Sequence, residues 1–139
     1  MEFALDKSTR QIWALKRAHP GVGFKQLRTP LTQYATDPLN HIHYGLDNGA
    51  YTAFDAPTFE RMARAASQDL LCDWIVMPDM VGDAASTSSL FFHWIDRLDL
   101  EDKRAYVLQD GADFDLVPWA YIECVFVGGS DRFKESSMC

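Results

Sequence analysis

The stretch I75-V-M-P-D-M-V-G-D83 starts as an apolar, β-branched run of strand type and presents two aspartates as soon as the run ends. Three other stretches behave alike: H43-Y-G-L-D-N-G49, A105-Y-V-L-Q-D-G111 and C124-V-F-V-G-G-S130. Between them lie helix signals. Asp55 caps and Pro57 fits a first turn before Phe59, Met62, Ala63 and Ala66, which recur at helical spacing up to Leu70. After Asp83, Leu90, Phe91, Trp94, Ile95 and Leu98 form one helical stripe. Residues 113–121 allow only a short helical turn around Pro118 and Trp119, and Ser8 to Ala18 reads as a helix with Ile12, Trp13 and Leu15 inward, closed by His19-Pro20-Gly21.

Strands at about 22–27, 42–46, 73–77, 104–108 and 122–127 alternate with these helices, and such crossovers imply a parallel sheet. The expected fold class is therefore α/β, with about five parallel strands apolar on both faces. In open sheets and closed barrels alike, ligands bind at the carboxyl ends of parallel strands. An apolar run ending in a carboxylate thus reads as a rigid post carrying a chemical group.

The 139 residues, 47% hydrophobic, suit a single domain spanning 1–139. No apolar stretch approaches a membrane span, and M-E-F-A-L-D-K lacks the basic flank and apolar core of a secretory signal, so a soluble cytoplasmic protein with no membrane partner is expected. Cys72, Cys124 and Cys139 form no C-x-x-C and read as two small core residues and one tail thiol. The net charge of −7 discourages nonspecific nucleic-acid binding. Residues 1–30, however, hold six basic side chains (Lys7, Arg10, Lys16, Arg17, Lys25, Arg28) against two acids, leaving either a solvated helix face or a place where nucleic acid could dock.

The strand-end groups divide by chemistry. Asp47 either forms an Asx-type turn with Asn48 and Gly49 or acts on a ligand. Asp79 follows W-I-V-M-P where burial is ending, so it needs a backbone donor or a ligand. Asp83, after Gly82, reads as the N-cap of the next helix. Gln109 offers an amide that both donates and accepts, beside Asp110, which serves the turn. Gly128-Gly129-Ser130 permits close backbone approach and leaves N–H groups for an oxygen, phosphate included. Two carboxylates, one amide and free backbone donors match the edge of a guanine-like base: carboxylates accept from N1–H and the 2-amino group, while donors reach O6. His41 and His43 alternate like ligands but precede their apolar run, at the wrong end of a strand, so no metal and no cofactor is expected. Ser130 lacks a nucleophile elbow and Cys72 an evident base.

In these motifs the chain resembles the tRNA-guanine transglycosylase superfamily, most closely its short phage and bacterial 7-deazaguanine DNA transglycosylase-like branch. The resemblance rests on L46-D-N-G-A-Y51, M77-P-D-M-V-G-D-A-A-S-T87, V107-L-Q-D-G111 and V125-F-V-G-G-S-D-R-F-K134, with T29-P30 closing the first strand, and covers about residues 22–134. It implies a (β/α)8 TIM-type barrel and replacement of guanine by a 7-deazaguanine in tRNA or DNA, on a nucleotide taken out of its stack. By motif, Asp47 matches the carboxylate that handles a proton at the reacting base, and Asp79 the one that reads N1–H and the 2-amino group. Gln109 matches the amide at the oxygen edge, and Gly128 and Gly129 the glycine pair binding that edge. Asn48, Gly49, Gly82, Asp83 and Asp110 shape the loops.

In similar proteins the aspartate that attacks the sugar lies on a later strand. With about five strands here against the eight of a barrel, the expectation is the base-recognition part of such a fold, inactive alone or a binding remnant. Self-association through an unclosed sheet edge is the further expectation.

Overall fold

The computed structural model describes residues 1–32, 34 and 41–137. Among them six strands alternate with four helices: β1 (Glu2–Leu5), α1 (Thr9–Ala18), β2 (Gly23–Arg28), β3 (Tyr44–Leu46), α2 (Ala56–Gln68), β4 (Cys72–Val76), α3 (Ala84–Leu98), β5 (Arg104–Leu108), β6 (Cys124–Val127) and α4 (Asp131–Ser137). All neighbouring strands are parallel, and their order in the sheet is their order in the chain. The sheet curls into a half-barrel.

A constant winding direction places successive crossover helices on one face, because each right-handed connection returns to the sheet from the same side. Accordingly α1 packs on β2, α2 on β3 and β4, and α3 on β5. The outer-facing residues Leu46, Ile75, Met77, Tyr106 and Leu108 meet Phe59, Ala63, Phe91, Trp94 and Leu98 of the helices in the main core. Strand alternation sends Trp74, Val76, Ala105, Val107, Cys124 and Phe126 to the opposite, concave face, where they form a separate apolar cluster with no described helix over it. The strands are thus apolar on both faces as expected, but the described helices cover only one.

Local chemistry sets the helix boundaries. Ser8 and Gln11 form a reciprocal capping box at α1. Asp55 caps α2 by accepting from Thr58 N, and Asp83 caps α3 by accepting from Ser86 N. Lys103 closes the other end of α2, its ammonium bonded to the carbonyls of Ala66, Ser67 and Asp69. Gly45 is required by packing: a Cβ there would lie 2.2 Å from the Trp74 indole, which crosses it on the concave face.

Three expectations are corrected. Six strands replace five, because Glu2–Leu5 pairs with Gly23–Gln26. Its acid hides the strand: Glu2 faces the concave side and pairs with Lys25 at 2.9 Å. The second helix ends at Gln68, so Leu70 is exposed, not part of its stripe. Finally, the segment 113–121 holds two short 3-10 turns, Phe114–Leu116 and Trp119–Tyr121, in place of one. The tail thiol Cys139 lies outside the described residues.

Candidate functional site

Because the strands run parallel, the residues following β3, β4, β5 and β6 arrive at one rim. A cavity of about 180 Å³ opens there, lined by Asp47, Asn48, Asp79, Gln109, Gly128 and Gly129. Its wall is the concave apolar row Val76, Val107 and Phe126, with Tyr51, Val81, Val127 and Lys134 around the mouth. The volume falls below the ~300–1,000 Å³ of pockets for drug-sized ligands, which suits a single small ring system.

Asp79 is the hub of the cavity floor. Asn48 Nδ2 donates to its Oδ1 at 2.6 Å and Gln109 Nε2 to its Oδ2 at 2.5 Å. Asn48 also donates to the Met77 carbonyl at 2.9 Å and accepts from Ala50 N at 2.7 Å, so this buried amide joins the β3 loop to the end of β4. Gln109 accepts from Gly82 N at 2.9 Å. Each end of this amide thus has one bond made and one left, a lone pair on the oxygen and an N–H on the nitrogen. Burial pushes the Asp79 carboxyl above its usual range, against the downward pull of the Asn48 and Gln109 amides. A carboxylate has about four acceptor sites, so capacity is left toward the cavity.

Asp47 accepts from the adjacent Asn48 N at 2.8 Å and lines the cavity. The Asx turn of D-N-G is made by Asn48, whose Oδ1 accepts from Ala50 N two residues on. The other Asp47 oxygen is not engaged by any described side chain. Burial raises its carboxyl above the ordinary value, and the nearby Asp79 and Asp6 carboxylates add to the rise, while the Asn48 and Gly49 N–H groups oppose it. A half-buried carboxyl with a raised pKa beside a ligand cavity is suited to taking up and returning a proton.

The glycine loop differs from its sequence reading. Gly128 N donates to the Leu108 carbonyl, extending the ladder, and Ser130 N donates to Asp110 Oδ2. Among the described residues only the Gly129 N–H of the three lacks a partner. Gly129 has φ +77°, and a Cβ on it would meet Asp110 Oδ2 at 2.5 Å. Asp110 also takes the Ser130 hydroxyl, and these bonds hold its carboxyl below the usual range. It clamps the β6 loop to the end of β5. Gly49 and Gly82 likewise sit at positive φ in their loops, and Asp83 is the cap expected of it.

The remaining candidates lie elsewhere. His43 bonds Asp73 through Nδ1 at 2.7 Å at the amino end of the sheet, His41 is exposed, and no cluster of metal-binding side chains exists among the described residues. Burial pushes the Cys72 thiol up to about 11, leaving it unreactive at neutral pH. Of the six N-terminal cations, Lys25 pairs with Glu2 and Asp73, Arg28 lies buried over the Tyr44 ring, and Lys16 reaches the Phe24 carbonyl. Lys7, Arg10 and Arg17 stay exposed. No described helix is long and apolar enough to cross a membrane.

Sequence reasoning missed the wall and the mouth. Val107 and Phe126 precede Gln109 and Gly128 by two residues, so stepping back along each strand on the same face would have found them. Tyr51 closes the L-D-N-G-A-Y motif and Lys134 ends the F-V-G-G-S-D-R-F-K motif. No family model, no curated protein and no solved structure matches this chain.

Proposed function

We propose that the cavity is the base-binding site of a transglycosylase of the base-exchanging type, built on part of a TIM-type barrel, and that its ligand is guanine or a 7-deazaguanine. The observation that carries this reading is the set of donors and acceptors gathered in one small cavity. Acceptors (Asp47, Asp79) and donors (Gln109 Nε2, which gives one N–H to Asp79, and the Gly129 N–H) line it together. A lactam ring system presents the complementary set: a carbonyl oxygen for the donors, with a ring N–H and an exocyclic amine for the carboxylates. Tyr51 and Phe126 offer faces for a flat ring. Asp79 and Gln109 read the base, and Asp47 carries the proton that the departing or arriving base exchanges.

Attack on a sugar carbon needs a further carboxylate. Asp47 and Asp79 are the carboxylates lining the cavity among the described residues, and both face the base in this assignment. In this reading the described residues supply base recognition and do not supply the attacking carboxylate. Nucleic acid, tRNA or DNA, would approach over Lys134 at the mouth and Lys7 beyond the end of β1.

Calorimetric titration of the purified chain with guanine, 7-deazaguanine and adenine tests the reading. Binding of the first two, abolished by Asp79→Ala, is expected. Equal binding of adenine, or an unaffected Asp79→Ala variant, would overturn it. Incorporation of labelled guanine into tRNA or DNA by the isolated chain would refute the assignment of base recognition without an attacking carboxylate.

A further inference from the structure

The crossover from β5 to β6 lacks a regular helix, and its two 3-10 turns leave an apolar shelf on the outer surface. Phe92 of α3 packs edge-on against Tyr121 with ring centroids 5.8 Å apart, and Trp119, two residues before Tyr121, is held by a 3.0 Å bond from its Nε1 to the Phe114 carbonyl. Phe92, Phe114, Leu116, Trp119 and Tyr121 are each between 42% and 74% exposed. Large aromatic side chains clustered and half-exposed on a rigid crossover mark an interaction surface. Two exposed acids stand near them in the chain, Asp96 one helical turn beyond Phe92 and Asp115 between Phe114 and Leu116, while Glu123 after Tyr121 is held by Arg104. Residues 109–137 carry six acidic against two basic side chains.

The opposite end of the half-barrel carries the opposite charge. On α1, Arg10, Ala14 and Arg17 occupy one exposed stripe, and no ion pair or hydrogen bond engages either arginine among the described residues. The i, i+7 spacing sets the two guanidinium groups about 10 Å apart along the helix, and Ala14 between them lets the helix backbone approach a flat surface. Guanidinium groups stack on aromatic faces while pairing with carboxylates. Since α1 packs on β2 while the shelf spans the β5–β6 crossover, the two surfaces lie at different ends of a six-stranded sheet. They meet only between molecules.

We propose that the aromatic shelf is a docking surface for α1 of a second copy of this chain, joined head to tail through Arg10 and Arg17 against Trp119, Tyr121 and their acidic rim. The contact is heterologous, so it builds open or cyclic chains, not an isologous dimer. One helix on a shelf covers less than the roughly 1,200 Å² of a stable complex, which makes the association weak and dependent on concentration. Its acidic rim disfavours a phosphate-bearing occupant.

Sedimentation equilibrium of the full 139-residue chain across about 5–500 μM, at about 50 and 500 mM salt, tests this, because the Debye length falls below the reach of exposed charge pairs at the higher value. Concentration-dependent mass growth at low salt, weakened at least tenfold at high salt, is expected. Arg10→Glu/Arg17→Glu and Asp96→Lys/Asp115→Lys should each be monomeric, and an equimolar mixture of the two variants should associate again, since each supplies the complement of the other. Trp119→Ser should weaken wild-type association about tenfold, with circular dichroism confirming its fold. A chain monomeric throughout, association persisting in both charge variants (which would place the contact at the β1 and β6 edges), or failure of the mixture to restore it overturns the proposal. None of the five substituted residues lines the base cavity, so the purine titration reads independently.

Discussion

Substituting Asn48→Ala removes three hydrogen bonds from a side chain that is 1% exposed: those to the Met77 carbonyl, to Asp79 and from Ala50 N. The two neutral bonds contribute about 1 kcal/mol each and the bond to the carboxylate about 1.5–3 kcal/mol. The expected loss is therefore ~3.5–5 kcal/mol, a large share of the ~5–15 kcal/mol of a typical domain. The loss also depends on pH. Asn48 pulls the Asp79 pKa down, so its contribution is present while Asp79 is ionised and is lost as pH falls through the Asp79 titration. Urea denaturation at pH 7 and again at pH 3.5 measures both effects. The deficit should be full at neutral pH and smaller in acid, and base affinity at pH 7 should fall because Asp79 is no longer held in place. A loss below about 1 kcal/mol at pH 7 would show the three bonds are replaced by water. A deficit independent of pH would show that the bond to Asp79 does not favour its ionised form.

Asp47→Asn keeps an acceptor for Asn48 N but removes a carboxylate whose pKa is raised by burial. A raised carboxyl favours the fold below its unfolded pKa and loses that contribution as pH rises through its folded pKa. The variant should thus gain stability at pH 7, show no gain at pH 3 by thermal melting, and lose any proton-transfer role. Gly45→Ala drives a methyl into the Trp74 ring and should cost ~1–3 kcal/mol or more in denaturant titration, with altered tryptophan fluorescence. Gly129→Ala meets both a positive φ and the Asp110 carboxylate. It should cost ~1–3 kcal/mol and weaken purine binding, and a variant with unchanged affinity would show that this loop is not part of the site.

The strand-end motifs were legible because each pairs an apolar run with turn chemistry. Asp83 as a cap and a turn at D-N-G follow from side chains bonding their own neighbouring backbone, which depends on sequence alone, although Asn48 and not Asp47 makes the Asx bond. What escaped the sequence is tertiary. Nothing local to Gly45 says that an indole from the next strand crosses it, and nothing local to Gln109 says that Gly82 fixes its carbonyl. Strand β1 was hidden for a related reason. Its Glu2 reads as polar surface until Lys25, across the sheet, shows that the concave face is charged at that end. The Gly128 N–H read as free from composition, but whether a loop amide is used depends on where the ladder stops, here one residue beyond β6.

The matching of chain order to strand order makes the rim of the cavity a linear record of the sequence, read from Asp47 through Asp79 and Gln109 to Gly129. Lengthening a crossover on the outer surface leaves that record intact. Deleting a single residue inside β5 moves Gln109 back one register position, toward the helices, and brings Asp110 into its place, because strand side chains alternate. Sites of this construction tolerate variation in the connections between strands and almost none in the parity of the strands themselves.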